Sequence, residues 1–198
     1  PIIPWANTNN EVRKRVKMVV GSKNKFKPNG SLSFYFCYMD NLNTFDGTNF
    51  DATNVLYLSN AFSYSGIKKC IMKNWNTNKV ISVFSMFSLS NKLTELDMTG
   101  CTFNSLTSAS FMFNNASSIS SIDLSDWNTT LTDIIYMFDG TSSLTELKLG
   151  NNITINTYIL YNTYIDKIYY FLIVFLFFSI SPIITFGGKL LFLFNFSL

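Results

Sequence analysis

Apolar residues return along the chain at a fixed interval, and the clearest marker of that interval is a phenylalanine. The stretch WNTNKVISVFSMF at residues 75–87 comes back as WNTTLTDIIYMF at residues 127–138. Aligning the last Phe of each stretch extends the series to five positions with spacings of 26, 25, 26 and 25: Phe36, Phe62, Phe87, Phe113 and Phe138. A period this regular indicates a repeat array in which each unit stacks on the next.

Two kinds of apolar spacing alternate within each unit of 25 to 26 residues. Upstream of the Phe, residues such as Leu106, Ala109 and Met112 recur at helical spacing and predict a short helix or 3₁₀ segment. Downstream of it, Leu96 and Met98 lie two apart and therefore share one face of a predicted strand. Each unit is predicted to supply one strand of a parallel sheet and one helical turn, and it buries its apolar side only against its neighbours.

The strand half of the unit fits a known consensus. LTELDMTGCTF at residues 93–103 matches the leucine-rich-repeat pattern L-x-x-L-x-L-x-x-N/C-x-L, with Cys101 in the Asn/Cys position. Trp75 and Trp127 lie near that position in other units, which departs from the ordinary pattern. This departure, the aromatic-Asn-Thr phrase and the closing Met-Phe resemble the BspA-like leucine-rich-repeat surface proteins over residues 31–152. The resemblance implies an α/β solenoid of four to five leucine-rich repeats.

The first 30 residues differ from the array in composition. NTNNEVRKRVKMVVGSK at residues 7–23 has valines at helical spacing, basic residues on the other face and Gly21 as a stop signal. Because an array needs an end unit over its first core layer, residues 1–30 are predicted to form a basic amphipathic capping helix and a linker. Binding of nucleic acid or of an anionic membrane surface is the less favoured interpretation, since basic runs are usually solvated faces.

After residue 152 the repeat pattern fades and apolar residues crowd together. Residues 168–186, IYYFLIVFLFFSISPIITF, are nineteen positions without a charge. A helix of that length would extend about 28 Å, enough for a bilayer core. Residues 153–198 are therefore predicted to be a hydrophobic tail that anchors the chain in a membrane. Two alternatives remain: a cap folded onto the last repeat, or a segment read out of register from an adenine/thymine-rich frame.

The residue types present in the chain limit which catalytic and metal sites it can form. It has no histidine, and its three cysteines, Cys37, Cys70 and Cys101, form no C-x-x-C pair. His-based general base catalysis and imidazole metal sites are thereby excluded, and Cys70 and Cys101 are predicted to be small buried groups. Asp97 and Asp123 on neighbouring strands are the candidates for an acid/base pair or a cation site. No insertion interrupts the period to form a pocket beside them, so we predict no catalytic residue, no cofactor and no metal.

The predicted parallel sheet exposes a row of polar side chains, which we call the sheet strip. It comprises Thr44, Asp46, Lys69, Lys73, Glu95, Asp97, Ser121, Asp123, Glu146 and Lys148. Repeat proteins commonly bind partners on such an extended wall. Its mixed charge suits a protein or a glycan better than nucleic acid, for which a consistently basic track is expected. The strip has few aromatic residues, which weakens a sugar-stacking interpretation.

These patterns predict a non-enzymatic interaction or adhesion module that binds through the sheet strip. The family resemblance implies a microbial surface protein, secreted or held at the cell surface by its tail. The alternative is an intracellular, cytoplasmic leucine-rich-repeat scaffold whose tail is a buried cap. An enzyme is the third class, and it would require a reactive pocket at Asp97 and Asp123.

Overall fold

One repeat of the sequence corresponds to one coil of the backbone. The computed structural model describes residues 26–155 and 183–185 of the 198-residue chain. Over residues 26–155 the chain winds into a parallel-strand β-solenoid of about five coils. The strands are β1 (Gly30–Ser31), β2 (Thr44–Asp46), β3 (Val55–Tyr57), β4 (Lys69–Ile71), β5 (Glu95–Asp97), β6 (Ser121–Leu124), β7 (Asn128–Leu131), β8 (Glu146–Leu149), β9 (Asn152–Ile155) and β10 (Ile183–Thr185).

Each coil contributes one strand to a parallel wall, the sheet wall, formed by β2, β4, β5, β6 and β8. β2, β4 and β5 pair in parallel with Phe45, Cys70 and Leu96 in register, and β6 pairs in parallel with β8. Along β6 exposed and buried residues alternate one by one, as the two-residue period of a strand requires. The predicted parallel wall with one strand per repeat is confirmed.

Two further lines of parallel contact run along the coils. β1 pairs with β3, and single bridges continue that line from Tyr57 to Ser82, Ser108 and Asp133. β7 pairs with β9 in the same parallel sense. Backbone hydrogen bonds between coils therefore join several sides of the solenoid, and not only the sheet wall.

The segments predicted to be short helices or 3₁₀ segments are consecutive turns, so that prediction is wrong. The amide of Phe62 donates to the carbonyl of Met86 in the next coil at 2.9 Å, and the amide of Phe87 donates to Met112 at 2.8 Å. A helical amide would donate to the carbonyl four residues back in its own coil. In each coil the residue two positions before the core Phe has a positive φ, which an α-helix excludes: Phe34, Asn60, Ser85, Phe111 and Tyr136.

The acceptors of the backbone amides show why residues at helical spacing do not form a helix here. Alternate amides of the turn segment bond within the coil, as Met112 does to the carbonyl of Ala109 at 3.2 Å, while those between them bond to the next coil. Two successive turns also place residues three or four apart on one side, so the apolar spacing is the same. The described residues contain no helix, and the leucine-rich-repeat form of the solenoid is not supported.

The repeated Phe forms the centre of the core. Consecutive rings are stacked 4.9 to 5.7 Å apart with interplanar angles of 5 to 11°, in the order Phe36, Phe62, Phe87, Phe113 and Phe138. All five side chains are buried. Trp75 and Trp127 are buried as well, at the corners that follow β4 and β6.

Both predicted end pieces fall mostly outside the described residues. Of the capping helix and linker predicted over residues 1–30, the structure describes only residues 26–30, and residues 156–182 and 186–198 of the tail also lie outside the described residues. Within the tail, β10 pairs antiparallel with β8, with Ile184 opposite Leu147. In the part of the chain that is described, no helix is long and apolar enough to cross a bilayer. The membrane anchor stays a prediction.

Candidate partner-binding surfaces

The ten residues of the sheet strip all lie on the outer side of the sheet wall or directly after it, and none is buried. In register along the wall, Lys69 is next to Glu95 and Ser121 is next to Glu146. The described strands form two groups, β2-β4-β5 and β10-β8-β6, without a ladder between β5 and β6. Asp97 and Asp123 lie on opposite sides of that break and are therefore not register partners.

Charges on the sheet wall are paired between and within coils. Lys69 Nζ lies 2.6 Å from Glu95 Oε2, and this hydrogen bond raises the pKa of Lys69. Lys148 Nζ lies 3.6 Å from a carboxylate oxygen of Asp123 and 3.6 Å from one of Glu146. The wall therefore presents alternating charges that neutralise each other, which suits a polar partner of mixed charge and opposes a polyanion.

Three aspartates of the sheet wall stabilise the turn that follows their own strand. Oδ1 of Asp46 and Oδ1 of Asp97 each accept the amide N–H two residues later at 3.0 Å, and Oδ1 of Asp123 does so at 2.9 Å. Such Asx turns stabilise the bend where the strand ends. Hydrogen bonds from Thr48 lower the pKa of Asp46. Burial opposes ionisation of Asp123, but hydrogen bonds from Ser125 and the charge of Lys148 outweigh it and lower the pKa.

The cysteines of the core are buried, as the sequence predicted. Cys101 Sγ donates to the carbonyl of Met72 at 3.2 Å, and burial raises the pKa of the Cys101 thiol to about 12. Burial also raises the pKa of Cys70 well above its usual range. Both groups are therefore protonated thiols at neutral pH, poorly suited to act as nucleophiles.

A second exposed surface lies on another side of the solenoid, and the apolar pattern of the sequence does not predict it. The bridge and turn segments of the five coils form what we call the aromatic wall: residues 31–38, 56–64, 82–89, 108–115 and 133–140. Five of its aromatic side chains are 38 to 51% exposed: Phe34, Tyr38, Tyr57, Tyr64 and Phe84. Neighbouring rings touch, since Tyr38 and Tyr64 stack with centroids 4.7 Å apart and Phe84 lies 5.7 Å from Phe111.

Charge is distributed unevenly over the aromatic wall. Its segments in the first four coils, SLSFYFCY, LYLSNAFSY, SVFSMFSL and SASFMFNN, contain no charged residue. The fifth segment, DIIYMFDG, carries Asp133 and Asp139. The sequence did hold a signal for this wall: aromatic residues recur two positions before or after the core Phe, outside the core phase of the repeat.

Comparison with known proteins identifies the repeat region. A family model described as "Mycoplasma protein of unknown function, DUF285" matches residues 30–151. No curated protein and no solved structure matches the chain. The matched residues begin at β1 and end after β8, so the family domain and the β-solenoid coincide.

Proposed function

The chain belongs to DUF285, a family of Mycoplasma proteins of unknown function, and we propose that its solenoid is a non-enzymatic protein-interaction module. The observation that carries this proposal is the uninterrupted stack of about five coils with an exposed, polar sheet wall. Stacked arrays present an extended surface of this kind to partners. The wall's carboxylates take part in ion pairs and Asx turns, which leaves little support for acid/base chemistry there.

The partner of the sheet strip is proposed to be a protein, with a glycan as the second candidate. The strip combines Lys69, Lys148 and several carboxylates within a narrow wall, and complementary charges of this kind set specificity and orientation. It offers no consistently basic track, so nucleic acid is not proposed. No cofactor or metal is part of the proposal.

Affinity capture with the full chain tests the use of the strip. The bait carrying Lys69→Glu and Lys148→Glu breaks the ion pairs of the sheet wall and reverses two charges. We expect it to lose the proteins that the parent bait captures, whereas a bait with Phe84→Asp on the aromatic wall keeps them. Identical captured proteins for all three baits would show that the sheet strip is not the binding surface.

In its finer form, the proposal is a microbial surface adhesion module. It is supported by the likeness of the repeat phrase to BspA-like proteins and by the uncharged residues 168–186, which would hold the chain at a membrane. The alternative, an intracellular scaffold with its tail as a cap, has one observation in its favour. β10 of the tail pairs with the edge of β8.

Partitioning of the full chain between buffer and lipid vesicles separates these two forms. If residues 168–186 anchor the chain, the parent should sediment with vesicles while external protease still cleaves its repeats. Val174→Lys combined with Leu176→Lys should move the chain into the buffer, because a charge at the bilayer centre costs about 2.5 to 3.5 kcal/mol per residue. Val174→Leu is the matched control. Equal partitioning of parent and lysine variant contradicts the anchor.

A further inference from the structure

The tail contains one short segment with two incompatible uses. β10 (Ile183–Thr185) pairs antiparallel with β8, with Ile184 opposite Leu147. The same three residues lie inside the uncharged stretch 168–186, which is proposed to hold the chain at a membrane. A strand paired with β8 and a helix that crosses a bilayer exclude each other, because the backbone hydrogen bonds of a helix stay within its own segment.

We propose that β10 is a reversible cover of the solenoid, which leaves the edge of β8 when the tail enters a membrane. In buffer β10 closes the last coil, and in the membrane-bound chain the edge of β8 is open. This inference rests on the membrane-anchored form of the proposed function. It makes the anchor and the cap two states of one segment.

The length of the uncharged stretch decides that both uses cannot occur together. Without β10, the stretch that remains is residues 168–182, which are fifteen positions. A helix of that length would extend about 22 Å, whereas the hydrocarbon core is about 30 Å thick and a spanning helix needs about 17 to 25 residues. A span across the core therefore includes residues 183–185 and removes them from β8.

A span placed elsewhere in the tail does not avoid this conflict. Moving it toward the N-terminus would draw in Asp166 and Lys167, which directly precede the uncharged stretch, and charged side chains within a span are unfavourable. The apolar residues that follow Lys189 are nine positions, 190–198, too few to cross a bilayer. The stretch that contains β10 is therefore the one that would carry the span.

Departure of β10 changes the surface of the last coil. β8 then pairs with β6 on one side and presents backbone donors and acceptors on the other, and such an edge is a template for an added strand. The outward residues of β8, Glu146 and Lys148, belong to the sheet strip. The anchored chain thus gains a strand-pairing edge beside the proposed binding surface. Because linkage is reciprocal, whatever holds β10 on β8 opposes membrane insertion.

A disulfide between β8 and β10 tests the exclusion. Thr185 lies opposite Glu146, and opposite residues of antiparallel strands have Cα atoms about 4.5 to 5.5 Å apart, within the range of a disulfide. Glu146→Cys with Thr185→Cys is made in a Cys37→Ser background, in which the native cysteines that remain, Cys70 and Cys101, are buried. With phosphatidylcholine vesicles, the oxidised protein should stay in the buffer. After reduction of the disulfide it should sediment with the vesicles as the parent does.

The outcomes separate this inference from the anchor itself. Oxidised protein that sediments as readily as the reduced form overturns the exclusion and leaves the anchor in place. A parent that never sediments with vesicles overturns both. Glu146→Cys alone, in the same background, is the matched control for the lost carboxylate and should sediment under both redox conditions.

Amide hydrogen exchange of the parent gives a second readout without any substitution. Exchange in β8 should be faster in the vesicle-bound chain than in buffer, because an edge that has lost its partner opens more readily. Exchange in β4, inside the array, should be the same in both states. Equal protection of β8 in buffer and on vesicles would mean that β10 stays in place, and would overturn the proposal.

Discussion

At the residue scale, one ring per coil makes the core continuous. The stacked Phe side chains are buried, and each of the three inner ones, Phe62, Phe87 and Phe113, stacks on the equivalent ring of the coil before and of the coil after. Each inner ring therefore belongs to two interfaces between coils. Because a coil cannot bury its apolar side alone, loss of one ring should weaken the coils on both of its sides.

Truncation of a core ring tests this directly. Phe113→Ala should lower the free energy of unfolding by about 3 to 5 kcal/mol, since a buried ring is lost and a cavity remains. Phe84→Ala, at an exposed ring, is the matched control and should cost far less. Urea unfolding followed by circular dichroism measures both. Equal midpoints for the two variants would contradict the stacked core.

The two corner tryptophans are similar in sequence context but differ in hydrogen bonding. Trp75 Nε1 donates to the carbonyl of Gly47 at 2.8 Å. Trp127 Nε1 is buried without an acceptor among the described residues. Replacement by Phe removes a satisfied donor from the first corner and an unsatisfied one from the second.

Replacing each tryptophan by Phe tests this difference, because each variant serves as the control for the other. Trp75→Phe should destabilise the protein by about 1 kcal/mol more than Trp127→Phe, because a net hydrogen bond contributes about that much and an unsatisfied buried donor is unfavourable. Both variants lose a similar apolar area. Chemical denaturation of the two proteins under one condition measures the difference, and a larger loss for Trp127→Phe would contradict it.

At the element scale, each coil consists of short strands and turns, and aspartate side chains stabilise several of these turns by accepting backbone amides. Among these aspartates, Asp51 has the pKa that is lowered furthest. It accepts the amide N–H of Thr53 at 3.1 Å and lies 3.3 Å from Lys27 Nζ. Hydrogen bonds from Thr53 lower the pKa of Asp51 to about 2. The pKa values of Asp46 and Asp123 are lowered as well.

The lowered pKa values of these carboxylates predict that the protein becomes less stable as the pH falls. Their folded pKa values lie below the ordinary value of 3.8, so their stabilising contribution is complete above that pH and is lost as the pH falls through the folded values. The unfolding midpoint in urea should fall between about pH 4 and about pH 2. Asp51→Asn should be less stable at neutral pH and lose less on acidification. A parent-like acid profile for this variant would show that Asp51 does not contribute.

At the scale of the whole molecule, stability should pass from coil to coil, and the two ends matter most. Terminal units of an array need a cover over the last core layer. β10, in the tail, pairs with β8 on the side away from β6. It therefore occupies the place of a C-terminal cover.

Disruption of β10 tests that role. Ile184→Pro should break the pairing opposite Leu147, because proline removes an amide donor and is poorly tolerated within a sheet. Amide hydrogen exchange should then accelerate in β8 while that of β2 and β4 stays near the parent rate, as local opening predicts. Ile184→Val is the control. Unchanged exchange in β8 would mean that β10 does not protect the last coil.

The period, the core and the outward face of the sheet wall can be read from the sequence alone. A spacing of 25 or 26 residues between the core Phe positions can be satisfied only by stacking like on like. The two-residue alternation around Leu96 and Leu147 then assigns the inner and outer faces of strands. These features are local or strictly periodic, so no knowledge of the fold is needed to read them.

The turn conformation and the aromatic wall depend on the folded chain, because hydrogen bonds between coils select them. Apolar residues three and four apart fit a helix and a series of turns equally well, and only the neighbouring coil, by accepting the amides of residues such as Phe62 and Phe87, selects the turns. The same kind of contact holds the bulky Phe34 and Phe111 at positive φ, since their amides donate to the carbonyls of Ser59 and Ile135 in the next coil. Stacking then brings Phe34, Tyr57 and Phe84, from three different repeats, onto one aromatic wall that no single repeat contains.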